Sequence, residues 1–456
     1  MIAGQITPRF RAARMFSSPH AWLIILSWLG LILGGIRDTS AIFYPYRWWF
    51  IALMAVGLHG AASRLRAVRY QSEHHWLYVF MAVSAASCAI SPTPEYSFAR
   101  WCTFVIVFVT VFIGAWTWLQ RVEHLRLLVN LLLTSAAIGA LLSGWYILGS
   151  GELIPDTRFA GAFGKATGTG SFAAAAIPIV LWKTRYSRGY AKAFFGLILG
   201  ILVYLLIFSG ARAALIGGTT ASLIWVWKHR VSWRPLLAAG IFALVFLAVA
   251  GIASLDMLPS YIVRKDSLST FTGRIPRWKV GLSLFLESPV LGHGYGMTRY
   301  VRMYGDEERP RGEIVSASVR FSDLIPFLGT SHLGRMTLHS DHVERLLETG
   351  LLGYIPFAMF WFCILRRMFY VFRLPARWAS SLAMALALNV GYIFLDSFLH
   401  GALFAINAPG VILSWVGIVA FMRASEAALQ EPIVTRCTSS TLSTVSIRGP
   451  VAPAIP

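Results

Sequence analysis

The sequence predicts an all-α polytopic membrane protein of about 12 transmembrane helices with one large extramembrane loop. Three observations predict it. Apolar residues make up 57% of the 456-residue chain and charged residues only 13%, against roughly 25% charged in a soluble domain. Mostly apolar stretches, many approaching the ~20 residues that a membrane crossing needs, recur along almost the whole chain. Basic residues gather in alternate connections between these stretches. The net charge of +20 therefore reads as loop charge on one side of a bilayer, and no nucleic-acid partner is implied.

Residues 1–20 are polar, carry Arg9, Arg11 and Arg14, and are followed by no small-residue cleavage site, so they do not read as a cleavable signal. Spans are then expected near 21–36, 48–62, 76–92, 101–118, 127–149, 171–182, 193–208, 213–227 and 235–255. Three more are expected near 351–365, 378–398 and 402–422. The chain divides accordingly into an N-terminal bundle of about nine spans (1–255), a large loop (256–342) and a C-terminal group of about three spans (343–423). The Ser/Thr/Pro-rich tail from 424 to 456 reads as a disordered cytoplasmic end. Cys88, Cys102 and Cys363 fall in apolar stretches and Cys437 in the tail, which makes no disulfide framework.

Orientation follows from the basic residues of the short loops. With the N-terminus inside, cytoplasmic segments hold 22 Lys and Arg, and the opposite short loops hold six: Arg37, Arg47, Arg100, Arg158, Lys165 and Arg212. That bias places both termini in the cytoplasm of a bacterial inner-membrane protein and the 256–342 loop on the periplasmic face. The loop carries eleven Lys and Arg of its own. Long translocated loops escape the charge rule, so this basicity calls for a separate reason.

Four features could carry chemistry, all on the extracytoplasmic side. The first is Arg158-Phe159-Ala160-Gly161-Ala162-Phe163. The second is Ser209-Gly210-Ala211-Arg212. The third runs from Thr272-Gly273-Arg274 through Arg277 and Trp278 to Ser288-Pro289 and Gly292-His293-Gly294-Tyr295-Gly296. The fourth is His339-Ser340, then nine residues, then Gly350. Each has a plainer reading beside it. Arg158 and Arg274 read equally as solvated loop charges, and Arg212 as a side chain snorkelling to phosphate headgroups. The glycine run reads as a turn needing positive φ. His332, His339 and His342 raise a zinc site, but no Cys or Glu ligand pattern accompanies them. Gly164-Lys165 is no phosphate loop, because Phe159 and Ala166 stand where Gly and Ser or Thr belong.

Asp341 and Glu344 resemble a capping box, so a helix is expected to start near Asp341. His339 then precedes a helix N-terminus, whose positive end favours a neutral imidazole able to accept a proton. The plainer reading keeps His339 as a polar cap-region residue.

Taken together, these motifs resemble the O-antigen ligase and polymerase superfamily, through RFAGAF, SGAR, TGRIPRW with SPVLGHGYG, and the His339-Ser340-x9-Gly350 element. The resemblance spans roughly residues 20–420. It implies a metal-independent inverting glycosyltransferase of the membrane-embedded GT-C type, with no cofactor. Such an enzyme moves a glycan from undecaprenyl diphosphate to a sugar hydroxyl on the periplasmic face, the ligases using lipid A-core as acceptor. By the same resemblance Arg212 and Arg274 bind the donor diphosphate, with Arg158 at a basic position of less defined role, and His339 is the base. Arg277, Ser340 and His342 are supporting candidates, and His342 leaves open which imidazole acts. A polysaccharide polymerase, whose acceptor is a second lipid-linked glycan, shares these motifs. A transporter or lipid-linked oligosaccharide flippase is the rival from another class. It would show polar groups at the bilayer midplane rather than at one interface.

Overall fold

The structure, a computed structural model, describes residues 18–62, 70–150, 155, 157–229, 274–304, 311–314, 338–375, 377–399, 403 and 409–441. Its helices begin with α1 (Pro19–Gly35), α2 (Arg37–Phe43), α3 (Arg47–Ala62) and α4 (Ser72–Ala89). Next come α5 (Pro94–Trp118, with a π-helical stretch at Phe108–Ile113), α6 (Val122–Ser150), α7 (Ala166–Tyr186), α8 (Gly189–Phe208) and α9 (Arg212–Lys228). After the 230–273 stretch follow α10 (Arg274–Glu287), α11 (Asp341–Arg373), α12 (Trp378–Leu399) and α13 (Pro409–Thr441). A hairpin of β1 (Val301–Tyr304) and β2 (Arg311–Ile314) pairs antiparallel, Val301 opposite Ile314.

Proline sets two helix starts, at Pro19 and Pro94, where the missing N–H is not needed. The α2–α3 pair bends by 76° around Tyr44–Tyr46. Among the described residues six helices are long and apolar enough to cross a membrane, seven when α2 and α3 count as one bent span. The protein is thus a mostly helical, multi-pass membrane protein. The remaining helices at expected spans are shorter or less apolar. The expected span at 235–255 lies outside the described residues, so the count of twelve stays an expectation. At the C-terminus α13 continues past residue 424, where the sequence suggests an irregular tail, to Thr441.

α7 packs against α8, α9 and α12, α11 against α4 and α12, and α10 against the start of α11. One end of the bundle is tied by a polar cluster. Arg367 donates to Glu73 at 2.9 and 2.7 Å, to Ser425 at 3.1 Å, and to Gln71. Arg423 lies 3.4 Å over the Trp116 ring and pairs with Glu426 at 2.8 Å. The opposite end carries the site.

Candidate functional site

The fourth motif is built around a break in α11. Ser340 is the N-cap, its hydroxyl accepting from Val343 N at 3.4 Å. The expected Asp341–Glu344 capping box is not formed, because Asp341 is already the first helical residue; its buried carboxylate accepts instead from Leu403 N at 2.9 Å. Nine residues later Gly350 takes φ 60°, ψ −165°, a conformation close to glycine-only, and the helix bends.

A continuous helix would pair Leu351 N with Leu347 O and Leu352 N with Glu348 O. Here the third motif takes those bonds. Leu347 O and Glu348 O accept from His293 N and Gly294 N, both at 2.9 Å, while Leu351 N and Leu352 N donate to Pro289 O at 2.8 Å and Val290 O at 3.1 Å. All four backbone groups freed by the bend are satisfied, which is what a buried break requires. The exchange needs two bare backbones face to face. A Cβ on Gly292 would sit 2.6 Å from Gly350 N, and one on Gly350 would strike the Val290 carbonyl. His293 is a structural residue, its Nε2 bonded to Leu284 O at 2.7 Å. Gly350→Ala is therefore expected to combine a backbone cost of about 1–3 kcal/mol with that clash. A lowered melting temperature of the purified protein, together with lost activity, checks it.

Behind the break lies a buried ion pair, Arg345 Nη1 to Glu348 Oε2 at 2.6 Å, the side chains 4% and 2% exposed. Glu348 also accepts from Thr298 Oγ1 at 2.6 Å and Thr298 N at 3.3 Å. Arg345 lies 4.9 Å over the Tyr295 ring. Burial pushes the Tyr295 phenol well above its ordinary value, so it stays neutral. Ser97 of α5 donates to Tyr295 O at 2.7 Å and locks the loop from the other side. Glu348→Ala would strand a buried guanidinium, at a cost of about 3–5 kcal/mol. The double variant Arg345→Met/Glu348→Leu should recover much of that in chemical denaturation, since no unpaired charge remains.

His339 stands just before this unit, half-buried, with φ 54°. It is the sole positive-φ residue other than glycine among those described; such strained backbone persists where its surroundings enforce it. Directly beside it, Trp278 Nε1 of α10 donates to Leu338 O at 3.0 Å. Leu338 also packs with Val280, Leu284, Val301 and Leu347 in a small core between α10, the hairpin and α11. The third and fourth motifs thus meet where Trp278, next to Arg277 and one turn after Arg274, is bonded to the residue preceding His339. His342 differs. It is buried, with Nδ1 3.1 Å from the Tyr354 hydroxyl, Nε2 3.1 Å from Ser397 Oγ, and its ring stacked 3.7 Å from Phe398. Both nitrogens are engaged, Nδ1 within α11 and Nε2 in joining α11 to α12.

The first two motifs also meet. Arg158 Nε donates to Ser209 O at 2.9 Å and Phe159 N to Phe208 O at 2.9 Å, which zips RFAGAF to the α8–α9 turn. Arg212 is the first residue of α9, and Arg274 lies in the first described turn of α10. Burial draws the half-buried Arg274 guanidinium below its ordinary value; Asp396 opposes this and Arg277 adds to it, so the three lie within electrostatic reach. Arg212 reaches the same level by a separate path. Gly217 of α9 packs directly on Tyr392 of α12, which lies beside Ser171 and Asp396. The helices run in opposite directions, so at about 1.5 Å per residue Arg212 stands ~7.5 Å beyond Gly217 and Asp396 ~6 Å beyond Tyr392.

Residues 197–358 match the model of the family described as O-Antigen ligase. This stretch is similar to the O-antigen ligase family. No curated protein matches the chain. The matched stretch contains the second, third and fourth motifs whole, from within α8 through the break at Gly350. Arg158 and Asp396 lie outside it. Asp396 is a candidate site residue that motif reading passes over. The available signal was its being the only acidic residue of α12.

Proposed function

We propose that the protein is a membrane-embedded inverting glycosyltransferase that moves a glycan from undecaprenyl diphosphate to a sugar hydroxyl, most specifically O-antigen to lipid A-core on the periplasmic face of the inner membrane. The observation that supports the reading is the Trp278–Leu338 bond, which ties the helix bearing Arg274 and Arg277 to the residue before His339. The similarity to the O-antigen ligase family supports the reaction class, and the basic-residue bias of the short loops supports the sidedness.

In this reading the acceptor hydroxyl oxygen attacks the anomeric carbon as the bond to the donor diphosphate oxygen breaks, with inversion. His339 takes the hydroxyl proton, and undecaprenyl diphosphate departs with the bonding electron pair. Arg212 and Arg274 meet the charge that develops on the leaving oxygens, where preorganised donors act most strongly. Guanidinium suits the task because its fork binds phosphate oxygens bidentately and keeps its charge. Asp396 holds the arginine array in place between substrates. His342, with both nitrogens committed, is a structural neighbour rather than the base.

A polymerase would differ only in the acceptor. Deletion in the native host separates the two: full-length lipid-linked polymer left unattached to lipid A-core identifies a ligase, and accumulation of single-repeat intermediates identifies a polymerase. Normal polymer length with normal attachment would refute both.

A further inference from the structure

We infer that α10 is an interfacial helix whose outer face lies in the bilayer, so that membrane lipid is the partner of the Leu282–Leu286 surface. α10 has two apolar faces. Pro276, Val280, Gly281 and Leu284 are buried toward α11 and the hairpin. On the opposite side Leu282 and Leu286 are 43% and 72% exposed. At 100° per residue they share a stripe with Ile275, while Lys279, Ser283 and Glu287 form the polar flank.

What covers the stripe is set by its continuation. The chain leaving α10 delivers Pro289 O and Val290 O to the amides of Leu351 and Leu352, so the end of α10 is bonded to the first turn of the apolar span beyond Gly350. Val290 is 57% exposed, and Leu351, Leu352 and Ile355 on that span are exposed as well. The span's outward face can meet only lipid, and the α10 stripe leads into it through Val290. A helix with one face of this kind sinks about 5–10 Å into the headgroup–acyl boundary. The exposed Lys279 suits such a level, an ammonium being at home among headgroups. The consequence is positional: Arg274 and Arg277 are held at phosphate depth by the leucines one to three turns along. This placement rests on the helix alone and stands whichever glycan acceptor is used.

The test replaces Leu282, Leu286, Ser283 or Glu287, one at a time, with an environment-sensitive fluorescent amino acid in the full-length protein. Each variant is reconstituted in phosphatidylethanolamine–phosphatidylglycerol vesicles with ordinary or brominated acyl chains. Several-fold stronger bromolipid quenching at 282 and 286 than at 283 and 287 is expected. Iodide quenching from the aqueous phase at all four, with no bromolipid effect, overturns the inference. A photo-crosslinking residue replacing Leu286 gives a second measurement should a probe perturb folding. Lipid-mass adducts on its peptide support the placement, and adducts to protein alone or none overturn it.

Discussion

His339→Ala is expected to lower transfer by about 10²–10⁴-fold, the usual contribution of a general base, with donor binding largely intact. The positive φ of His339 gives a way to divide the imidazole from the backbone that carries it. His339→Gly removes about 1–3 kcal/mol of strain and keeps the Trp278–Leu338 and Ser340–Val343 bonds. It should keep the native fold and be as inactive as the alanine variant. His342→Ala is expected to show the reverse pattern, because it loses contacts to Tyr354, Ser397 and Phe398: lower stability, with a smaller loss in turnover of the surviving folded fraction. Single-turnover transfer with purified variants measures both. Near-native turnover in His339→Ala would remove the base assignment and leave the arginines to act alone.

The local features of this site were legible in the sequence where chemistry is local. A capped helix start near Asp341 and a turn at Gly292–Gly296 follow from residue type and spacing. The exchange of backbone bonds between 289–294 and 347–352 does not, since it is made by glycines more than fifty residues apart whose side chains say nothing about partner. The capping assignment slipped by one residue for a related reason: Ser340 and Asp341 are both good caps. A tertiary bond from Leu403 N to Asp341 decides between them. His293 and His342 carry the residue type of a catalytic base, yet their ring nitrogens are taken by Leu284 O and by Tyr354 and Ser397. Asp396 was visible only as a lone acid at a span end. Its meaning comes from α9 and α12 packing through Gly217 and Tyr392, a contact that apolar periodicity cannot specify. In the bundle itself, weakly amphipathic apolar helices announce that they are buried in something, protein or lipid, without saying which face meets which.

Arg274→Lys is expected to fail nearly as badly as Arg274→Ala, both losing about 10²–10³-fold in turnover, the scale for removing one preorganised donor from a developing oxyanion. The charge survives the lysine substitution, so the loss would be one of geometry: a single ammonium cannot hold two phosphate oxygens in a fixed fork. Arg212→Lys should behave alike, since α9 brings it to the level of Asp396 and hence to the Arg274 side of the site. Arg277→Ala should be milder, its main effect in the field around Arg274 being to add like charge. Asp396→Asn provides the internal check. Removing the carboxylate leaves both forks intact but deprives Arg274 of its opposing charge, so donor affinity and turnover should separate: donor held more tightly, released product more slowly. Steady-state transfer and donor binding by the purified variants at equal expression would read this out. Full activity in Arg212→Lys and Arg274→Lys would mean that charge alone suffices and that no bidentate clamp on the diphosphate exists.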